Sequence, residues 1–421
     1  MLELIHQTSL LLYNIFIYPT IFFSLITYFI LLNTILKNNK KLATNNKKGK
    51  NFFVSIIIPT YNDPVVERCV KSCLKQDYKN FEILIADDGT DEKTRKIIDG
   101  LKCDRVKVIR RNNRKGFKAG ALNNALKYAK GEIILIFDAD WIIGKDFIKR
   151  IVKEFNDEKV AIVQAKQDFI GYNKTSISKF AYLLMSVYYN VFIPLFSFFG
   201  VTFSGGTATA IRKSVLMEVG GYNENSLAED TEVSVRIICK GYKTVYLKNL
   251  KAKGELPYKL THFLKQQGRW VYGTTRAFLD NIGTIFKSNI SLTKKAIITF
   301  STFSHVFQPL ILFFFVFGQL ALLTGTPKPL TIDDIKNTII TFALTAGFLS
   351  LAIYNSIINK RIKIYEAFLL SIFFGSLFLF FNTFNFFKAI FVKSDKWFKT
   401  PKHGNTKSIW KFFRLKISEP F

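Results

Sequence analysis

Long uncharged blocks at both ends of the chain bracket a polar middle, and this pattern limits the possible folds more than any other feature. No charged residue occurs between Leu10 and Leu36, a stretch long enough to cross a bilayer with some tilt. Its apolar part is too long for a cleaved signal peptide and no basic segment precedes it, so we expect a retained anchor. Three further blocks follow at residues 296–326, 337–359 and 367–392, and only the last contains a charge, Lys388. We therefore expect transmembrane helices at both ends.

The basic residues predict how the chain is oriented. Residues 1–7 contain no Lys or Arg, whereas residues 37–50 are rich in Lys and Asn, so the N-terminus is expected outside and the following domain in the cytosol. The predicted location is the cell membrane, with several crossings. The predicted regions are an N-terminal transmembrane anchor (1–37), a basic linker (38–51), a cytosolic domain (52–285), a C-terminal transmembrane region (286–392) and a basic cytosolic tail (393–421).

The number of C-terminal crossings stays open at this point. Counting each of the three blocks as one crossing would place the densely basic tail outside, against the positive-inside rule. One block is therefore expected to be a re-entrant pair or an interfacial helix, because irregular backbone inside a membrane must be shielded by protein. Residues 296–326 and 367–392 are both candidates for this role.

The net charge of +29 constrains the partners of the protein. Its Lys and Arg residues are scattered through juxtamembrane segments and form no single stripe, so we expect no nucleic-acid partner. Membrane lipids with anionic head groups and a nucleotide diphosphate explain the charge better. The four cysteines match no zinc or disulfide framework, and Cys69 and Cys73, one helical turn apart, are expected to be buried thiols.

The polar middle begins with the pattern of an α/β fold. From Val54 onward, short apolar runs alternate with segments of helical period, which predicts strand–helix units and a mostly parallel sheet. Polar groups follow three of the strands, where ligands gather in such sheets. The predicted strands are 54–58, 81–86, 106–109 and 132–137, the predicted helices are 64–76, 91–101 and 118–129, and the polar groups are 60–63, 87–88 and 138–140.

Two pairs of acidic residues follow along the chain. Asp138 and Asp140 end the most apolar strand, where isolated carboxylates would be costly without a cation. One or two carboxylates together with substrate phosphates suit Mg²⁺ or Mn²⁺. Glu229 and Asp230 open a predicted helix that reaches about Lys240. Acids there are either helix caps or a base for an acceptor hydroxyl.

An aromatic and basic pattern completes the set. Gln266, Arg269 and Trp270 share one face of a predicted helix. A Trp side chain can stack on a sugar ring, and an Arg side chain can bind a diphosphate with two hydrogen bonds. The ordered set resembles the processive-type family 2 glycosyltransferases, the group that holds cellulose, hyaluronan, mannan and poly-N-acetylglucosamine synthases. The resemblance covers roughly residues 54–278.

The resemblance implies a GT-A fold and a metal-dependent inverting transferase that uses a UDP-sugar in a single displacement. It makes Asp230 the general base and Glu229 a neighbour that tunes it. It implies that the nucleotide-sugar is bound by Thr60, Tyr61, Asp63, Asp88, Lys118, Asp138 and Arg269, the acceptor by Gly205, Glu229, Gln266 and Trp270, and the metal by Asp138 and Asp140. Turn chemistry is an alternative explanation for residues 59–63, 87–89 and 203–208, as is a plain helix start for Lys118.

A second uncharged stretch, residues 180–211, also has the composition of a span. A crossing there would place Asp138 and Asp230 on opposite sides of the membrane, where they could not act on one substrate. We therefore predict that residues 180–199 form a buried or membrane-grazing helix, broken near Pro194.

Three functions stay open on the sequence alone. The chain elongates a β-linked polysaccharide, or it adds one sugar to a membrane lipid, as ceramide and diacylglycerol glucosyltransferases with similar motifs do, or it is a non-catalytic transporter or scaffold. Only about four spans are visible by length, which is few for a polysaccharide pore. Residues 397–402 also resemble the gating loop of cellulose synthase, with Thr400 and Lys402 matching. That resemblance requires a cytosolic tail.

Overall fold

The computed structural model describes residues 1–37, 50–326 and 329–393. The predicted linker up to residue 49, the tail from residue 394 and its Thr400–Lys402 motif lie outside the described residues. The strands are β1 Val54–Thr60, β2 Phe81–Asp87, β3 Val106–Arg110, β4 Ile133–Ile136, β5 Ile142–Ile143, β6 Val160–Ile170, β7 Thr209–Arg212 and β8 Lys243–Glu255.

Helices cover the sheet and extend beyond it. Those that belong to the α/β domain are α2 Val66–Leu74, α3 Glu92–Asp99, α4 Phe117–Leu126, α5 Phe147–Ile151, α6 Ser176–Val187, α7 Ile193–Phe198, α8 Lys213–Glu218, α9 Glu229–Cys239 and α10 Leu260–Lys287. The flanking helices are α1 Leu2–Lys37, α11 Leu292–Phe303, α12 Phe307–Thr324, α13 Ile332–Thr345, α14 Gly347–Asn359 and α15 Ile364–Phe391.

All eight strands form one sheet in the order β3-β2-β1-β4-β7-β6-β8-β5. The first four strands are parallel, as their alternation with helices predicts. In the other half β6 and β8 also pair in parallel, whereas β7 runs antiparallel to both β4 and β6 and β5 runs antiparallel to β8, so the sheet is mixed with four parallel and three antiparallel pairs. The carboxyl ends of β1, β2 and β4 therefore meet at one edge.

Alternate side chains of the central strands point to two separate cores. Ile56 and Ile58 of β1 pack in one hydrophobic cluster with α2, whereas Ile57 packs in the other with α4. Cys69 and Cys73 are buried in the first cluster, as their spacing on α2 predicts. Burial on both faces explains why these strands are nearly continuous apolar runs.

Residues 180–199, which have the composition of a membrane span but are predicted not to cross, lie in a broken and largely buried helix. It consists of α6, a π-helical turn at Tyr188–Phe192, and α7, so the break lies just before Pro194. Its length and composition would allow a crossing, but 67% of it is buried inside the protein, against 22% for α1. Tyr189 and Val191 are among its buried side chains.

Four helices in the described residues are long and apolar enough to cross a membrane, or up to five if a bent pair counts as one span. The bent pair is α13 and α14, which meet at 67°. Ser24 of α1 holds the bend, because its hydroxyl accepts the N–H of Gly347 at 2.8 Å. The sharp bend thus lies in the block 337–359, and neither of the two blocks proposed as re-entrant contains it. The position of the bend between α13 and α14 is set by contacts with α1.

Helix α15 contacts the α/β domain at both of its ends. Glu366 in its first turn pairs with Lys179 of α6. Beyond its last turn, the carbonyl of Val392 accepts a hydrogen bond from the Tyr272 hydroxyl of α10 at 2.8 Å. Two ends on one domain are the arrangement expected of an interfacial helix, so residues 367–392 keep that prediction.

Candidate active site

One cavity of about 1290 Å³ lies at the carboxyl ends of the central strands and continues between the flanking helices. It is larger than the roughly 300–1,000 Å³ of a typical small-molecule site, which leaves room for a donor and an acceptor together. The cavity is lined by every residue that the sequence assigns to the site, namely Thr60, Tyr61, Asp63, Asp88, Lys118, Asp138, Asp140, Gly205, Glu229, Asp230, Gln266, Arg269 and Trp270. The structure therefore brings the whole predicted set together, while the individual roles stay predictions.

The loops after β1 and β2 are tied to each other. The N–H of Asp88 donates to the carbonyl of Thr60 at 3.0 Å. The side chain of Asn62 accepts the N–H of Thr90 at 2.7 Å and that of Asp91 at 3.0 Å. Within the described part of the chain, the buried Thr60 hydroxyl has no hydrogen-bond partner. A buried polar group without a partner at the predicted nucleotide position fits a ligand that would supply one.

Asp88 is already engaged by an arginine. Both of its oxygens accept from Arg111 at 2.6 Å, and the two side chains are largely buried. Arg111 also donates to the carbonyls of Lys115 and Phe117. Asp88 thus holds the loop that precedes α4. A fork-to-fork pair of this kind fixes geometry as well as charge.

Arg114 also lines the cavity, although it belongs to no motif recognised in the sequence. Its guanidinium lies over the ring of Tyr61, 3.4 Å from the ring centre, and both side chains line the cavity. The sequence contains a signal for it, since residues 111–115 form a strongly basic loop directly after β3. A guanidinium stacked on a tyrosine beside the predicted donor loops is suited to bind a nucleotide phosphate.

Lys118 forms ion pairs with both groups of acidic residues. Its ammonium lies 2.8 Å from Asp138 and 3.4 Å from Glu229, and it donates to the carbonyl of Gly206 at 2.9 Å. Burial opposes its charge, but Asp138, Glu229 and Asp230 outweigh burial and raise the pKa of Lys118. One cation thus contacts both the end of β4 and the start of α9. The acids that the sequence places about ninety residues apart belong to one site.

Asp230 has the properties of a general base. Burial, together with the neighbouring Glu229, raises the pKa of Asp230 to about 7, although Lys118, the Thr231 N–H and Arg269 oppose this shift. The Thr231 N–H donates to its Oδ1 at 2.7 Å. A base whose pKa lies near the working pH combines the deprotonated form with appreciable basicity.

A glycine turn lets the backbone approach this base. Gly206 adopts φ +73°, and a Cβ there would lie 2.6 Å from Oδ2 of Asp230. At Gly205 a Cβ would lie 2.7 Å from both the Gln167 amide and the Tyr189 hydroxyl. The turn needs glycine at both positions for this reason.

Two glutamines of β6 position the same turn. Gln164 accepts the N–H of Gly205 at 2.8 Å, and Gln167 donates to the Gly205 carbonyl at 3.0 Å. Neither glutamine belongs to a motif recognised in the sequence. Their signal is the presence of amides within an otherwise apolar buried strand, which requires nearby hydrogen-bond partners.

Asp138 and Asp140 are suited to share a metal with a substrate. Asp140 is 1% exposed and accepts the Glu255 N–H at 3.1 Å, and Glu255 itself pairs with Arg68 at 2.9 Å. No group of three or more His, Cys, Asp or Glu side chains that could hold a metal occurs in the described ranges. The described residues therefore provide no complete cage. Two carboxylates completed by substrate phosphates are nonetheless an ordinary Mg²⁺ arrangement.

Helix α10 carries the remaining predicted residues to the cavity. Gln266, Arg269 and Trp270 all line it, and Arg269 donates to the carbonyl of Leu227 at 3.2 Å. Gly268 packs against α15, where a Cβ would lie 2.7 Å from the Phe381 ring. Gly273 packs against Ala228, where a Cβ would lie 2.8 Å from the Ala228 Cβ. Close packing on both sides thus positions Trp270 between the acids and the flanking helices.

Comparison with known proteins finds similarity to glycosyltransferases. Residues 55–220 match the model of the glycosyl transferase family 2. The glucomannan 4-beta-mannosyltransferase 7 of Arabidopsis thaliana is 31% identical over 269 residues, which cover 59% of this chain and 48% of that protein. The probable glucomannan 4-beta-mannosyltransferase 4 of Oryza sativa subsp. japonica is 28% identical over 299 residues, with coverages of 66% and 54%. The chain spans about half the length of these curated relatives.

A solved structure shares the architecture of nearly the whole chain. The mannosyltransferase PcManGT from Pyrobaculum calidifontis, crystallised with GDP-Man and Mn²⁺, superposes with a TM-score of 0.61 at 18% identity. The match covers 93% of this chain and 99% of that one. At this identity the likeness concerns the fold, and it confirms the predicted GT-A domain flanked by apolar helices.

Proposed function

We propose that this protein transfers a sugar from a nucleotide-sugar to a growing glycan, because residues 55–220 match the model of the glycosyl transferase family 2 and the curated relatives are named glucomannan mannosyltransferases, in line with the predicted resemblance. The observation that carries the proposal is the position of Asp230. This carboxylate with a pKa of about 7 shares a cavity with Asp138 and Asp140. We further propose that the domain faces the cytosol at the cell membrane, because basic residues concentrate after the first apolar helix.

The proposed reaction is a single displacement with inversion at the anomeric carbon. Asp230 takes the proton of the acceptor hydroxyl while its oxygen attacks that carbon, and the bond from the carbon to the diphosphate oxygen breaks. Lys118 and Arg269 lie in the same cavity and stabilise the charge that develops on the diphosphate. When bound at Asp138 and Asp140, Mg²⁺ or Mn²⁺ would add Lewis-acid stabilisation of that leaving group.

The acceptor is proposed to lie over α10. Trp270 offers a flat ring for a sugar, and Gln266 offers an amide for its hydroxyls, one helical turn away. Glu229 and the turn at Gly205 complete the acceptor side. Thr60, Tyr61, Asp63 and Asp88 form the proposed nucleotide side, and Arg114 adds a cation there.

The donor test must include more than one nucleotide. The family resemblance implies UDP, whereas the structural neighbour was crystallised with GDP-Man and the curated relatives are named mannosyltransferases. Purified full-length protein should therefore be incubated with labelled UDP-glucose, UDP-N-acetylglucosamine and GDP-mannose, each with Mn²⁺, Mg²⁺ or a chelator. We expect one donor to be turned over, and only with a divalent cation.

Asp230→Asn should reduce this turnover by about a thousandfold, the order expected when a general base is lost. Asp333→Asn is the matched control, because Asp333 also lies in the first turn of a helix but is exposed and outside the cavity. Full activity of Asp230→Asn would exclude the proposed base. A wild-type protein without any sugar transfer would instead support the transporter or scaffold alternative.

A further inference from the structure

The lining of the cavity changes character along its length. One part, in the same cavity as Asp230, is formed by polar and aromatic side chains, which we term the polar collar. The polar collar consists of Gln266, Trp270, Ser301, Ser304, His305 and Gln308. It is assembled from α10, the end of α11, the 3₁₀ turn at Ser304–Val306 and the start of α12.

Two collar oxygens, Oγ of Ser301 and Oε1 of Gln308, are buried without a hydrogen-bond partner among the described residues. Buried polar groups are normally satisfied, so these oxygens point to a ligand with polar groups at the collar. A sugar ring, with a hydroxyl on most of its carbons, supplies such groups.

Beyond the collar the lining is apolar. This apolar section lies between α12, α14 and α15, and its walls include Phe315, Leu320, Phe348, Ile372 and Phe380. Among the cavity-lining residues of the flanking helices that the structure describes, none is Asp, Glu, Lys or Arg. The few polar members of this section are single Ser, Thr and Gln side chains.

This lining discriminates between two kinds of acceptor. A free glycan in the apolar section would lose water from several hydroxyls per ring without regaining hydrogen bonds, which is costly. An aliphatic chain in the same place would gain from burial. The polar collar and the apolar section together are therefore complementary to an amphiphile.

Resting on the proposed glycosyl transfer, we propose that the growing glycan is carried on a lipid. The acceptor sugar occupies the polar collar with its free hydroxyl at Asp230, and the aliphatic chain to which the glycan is attached occupies the apolar section. The cavity is continuous between the two parts, so one molecule can occupy both. The product is a lipid-linked glycan that is longer by one sugar.

The test uses the full-length protein in lipid nanodiscs with the donor that it turns over. The acceptors are a β-linked disaccharide of the donor sugar, either free or with an octyl, dodecyl or hexadecyl chain at its reducing end. We expect kcat/KM for the dodecyl glycoside to exceed that for the free disaccharide by about tenfold or more, because the chain buries apolar area. The labelled product should be extractable into organic solvent.

A pair of variants separates the cavity from simple partitioning into the membrane. Leu320 lines the cavity, whereas Leu322, on the same helix, is 75% exposed and does not. Leu320→Gln should lower the preference for the alkyl chain at least severalfold, and Leu322→Gln should leave it unchanged. Both variants contain the same new polar group, so they also control for folding.

The outcomes distinguish this inference from the proposed function. Equal use of free and alkyl-linked disaccharides, or an alkyl preference that is the same in both variants, would overturn the lipid-linked acceptor while sugar transfer stands. Secretion of a long water-soluble polymer through the protein would also overturn it. Absence of donor turnover with every acceptor, and of donor hydrolysis, would overturn the proposed function itself.

Discussion

The donor and acceptor sides of the cavity are held by different forces. On the donor side, buried and half-buried ion pairs fix the loops, with Asp88 bound to Arg111 at 2.6 Å and Asp87 to Arg110 at 2.8 Å. On the acceptor side, a neutral hydrogen bond from the Gly205 N–H to the Gln164 side chain and the close contact of Gly206 with Asp230 fix the turn.

The difference matches the chemistry of the two ligands. A nucleotide-sugar has a charged diphosphate, and loops fixed by ion pairs offer it a rigid surface that includes the Arg114 guanidinium. An acceptor is neutral, so its site needs shape and hydrogen bonds more than charge. Lys118 lies where the two sides meet, since it contacts Asp138 on one side and Glu229 on the other.

The strongest test of this division is to remove the cation between the two sides. Lys118→Met would leave Asp138, Glu229 and Asp230 without their shared counter-charge and should lower kcat/KM by about a hundredfold. Lys115→Met is the control, because Lys115 is exposed and three residues away. Equal activity of the two variants would show that Lys118 has no part in the reaction.

A substitution on the donor side should affect the donor alone. Asp88→Asn breaks the paired fork with Arg111, so the loop before α4 shifts and the KM for the nucleotide-sugar should rise about tenfold. Asp99→Asn removes another carboxylate that pairs with an arginine but does not line the cavity. Steady-state kinetics with each substrate varied in turn would show an unchanged acceptor KM. A parallel rise of both KM values would contradict the division.

The corresponding substitution on the acceptor side is Gly205→Ala. Its new Cβ would collide with the Gln167 amide and the Tyr189 hydroxyl, so we expect the acceptor KM to rise about fivefold with the donor KM unchanged. Gly283→Ala is the control, since nothing lies within 4 Å of its added Cβ. A rise in donor KM alone would place this turn on the nucleotide side.

The smallest expected effect concerns pH. Because the pKa of Asp230 in the free protein is raised to about 7, the active deprotonated form should increase with pH, and kcat/KM should rise about threefold between roughly pH 6.5 and 7.5. The rise should level off above about pH 8, where Asp230 is fully ionised. A flat profile over this range would show that the chemical step is not limited by deprotonation of this carboxylate.

Much of the fold could be predicted from local patterns. The first four strands and the helices between them lie where the alternation of apolar runs places them, with ends that differ by a few residues. The second half of the sheet could not be predicted in the same way. β7 is short, and its antiparallel pairing with β4 and β6 depends on strands that are far apart in the sequence.

Local sequence patterns also predict only part of the site. The order of Asp138, Asp230 and Trp270 predicts one cavity, because strand ends and helix starts are local features with known chemistry. The ion pair of Asp88 with Arg111, and the amides of β6 behind Gly205, could not be predicted, because each links residues from different elements.

The sequence by itself determined the apolar helices, the parallel half of the sheet and the set of residues that meet at its edge. These follow from the period of apolar residues and from side-chain type, which are local properties of the chain. Only the tertiary structure decided the pKa of Asp230, the bend between α13 and α14, and the apolar section of the cavity. Each of these depends on burial, and burial is created by segments that meet only after the chain has folded.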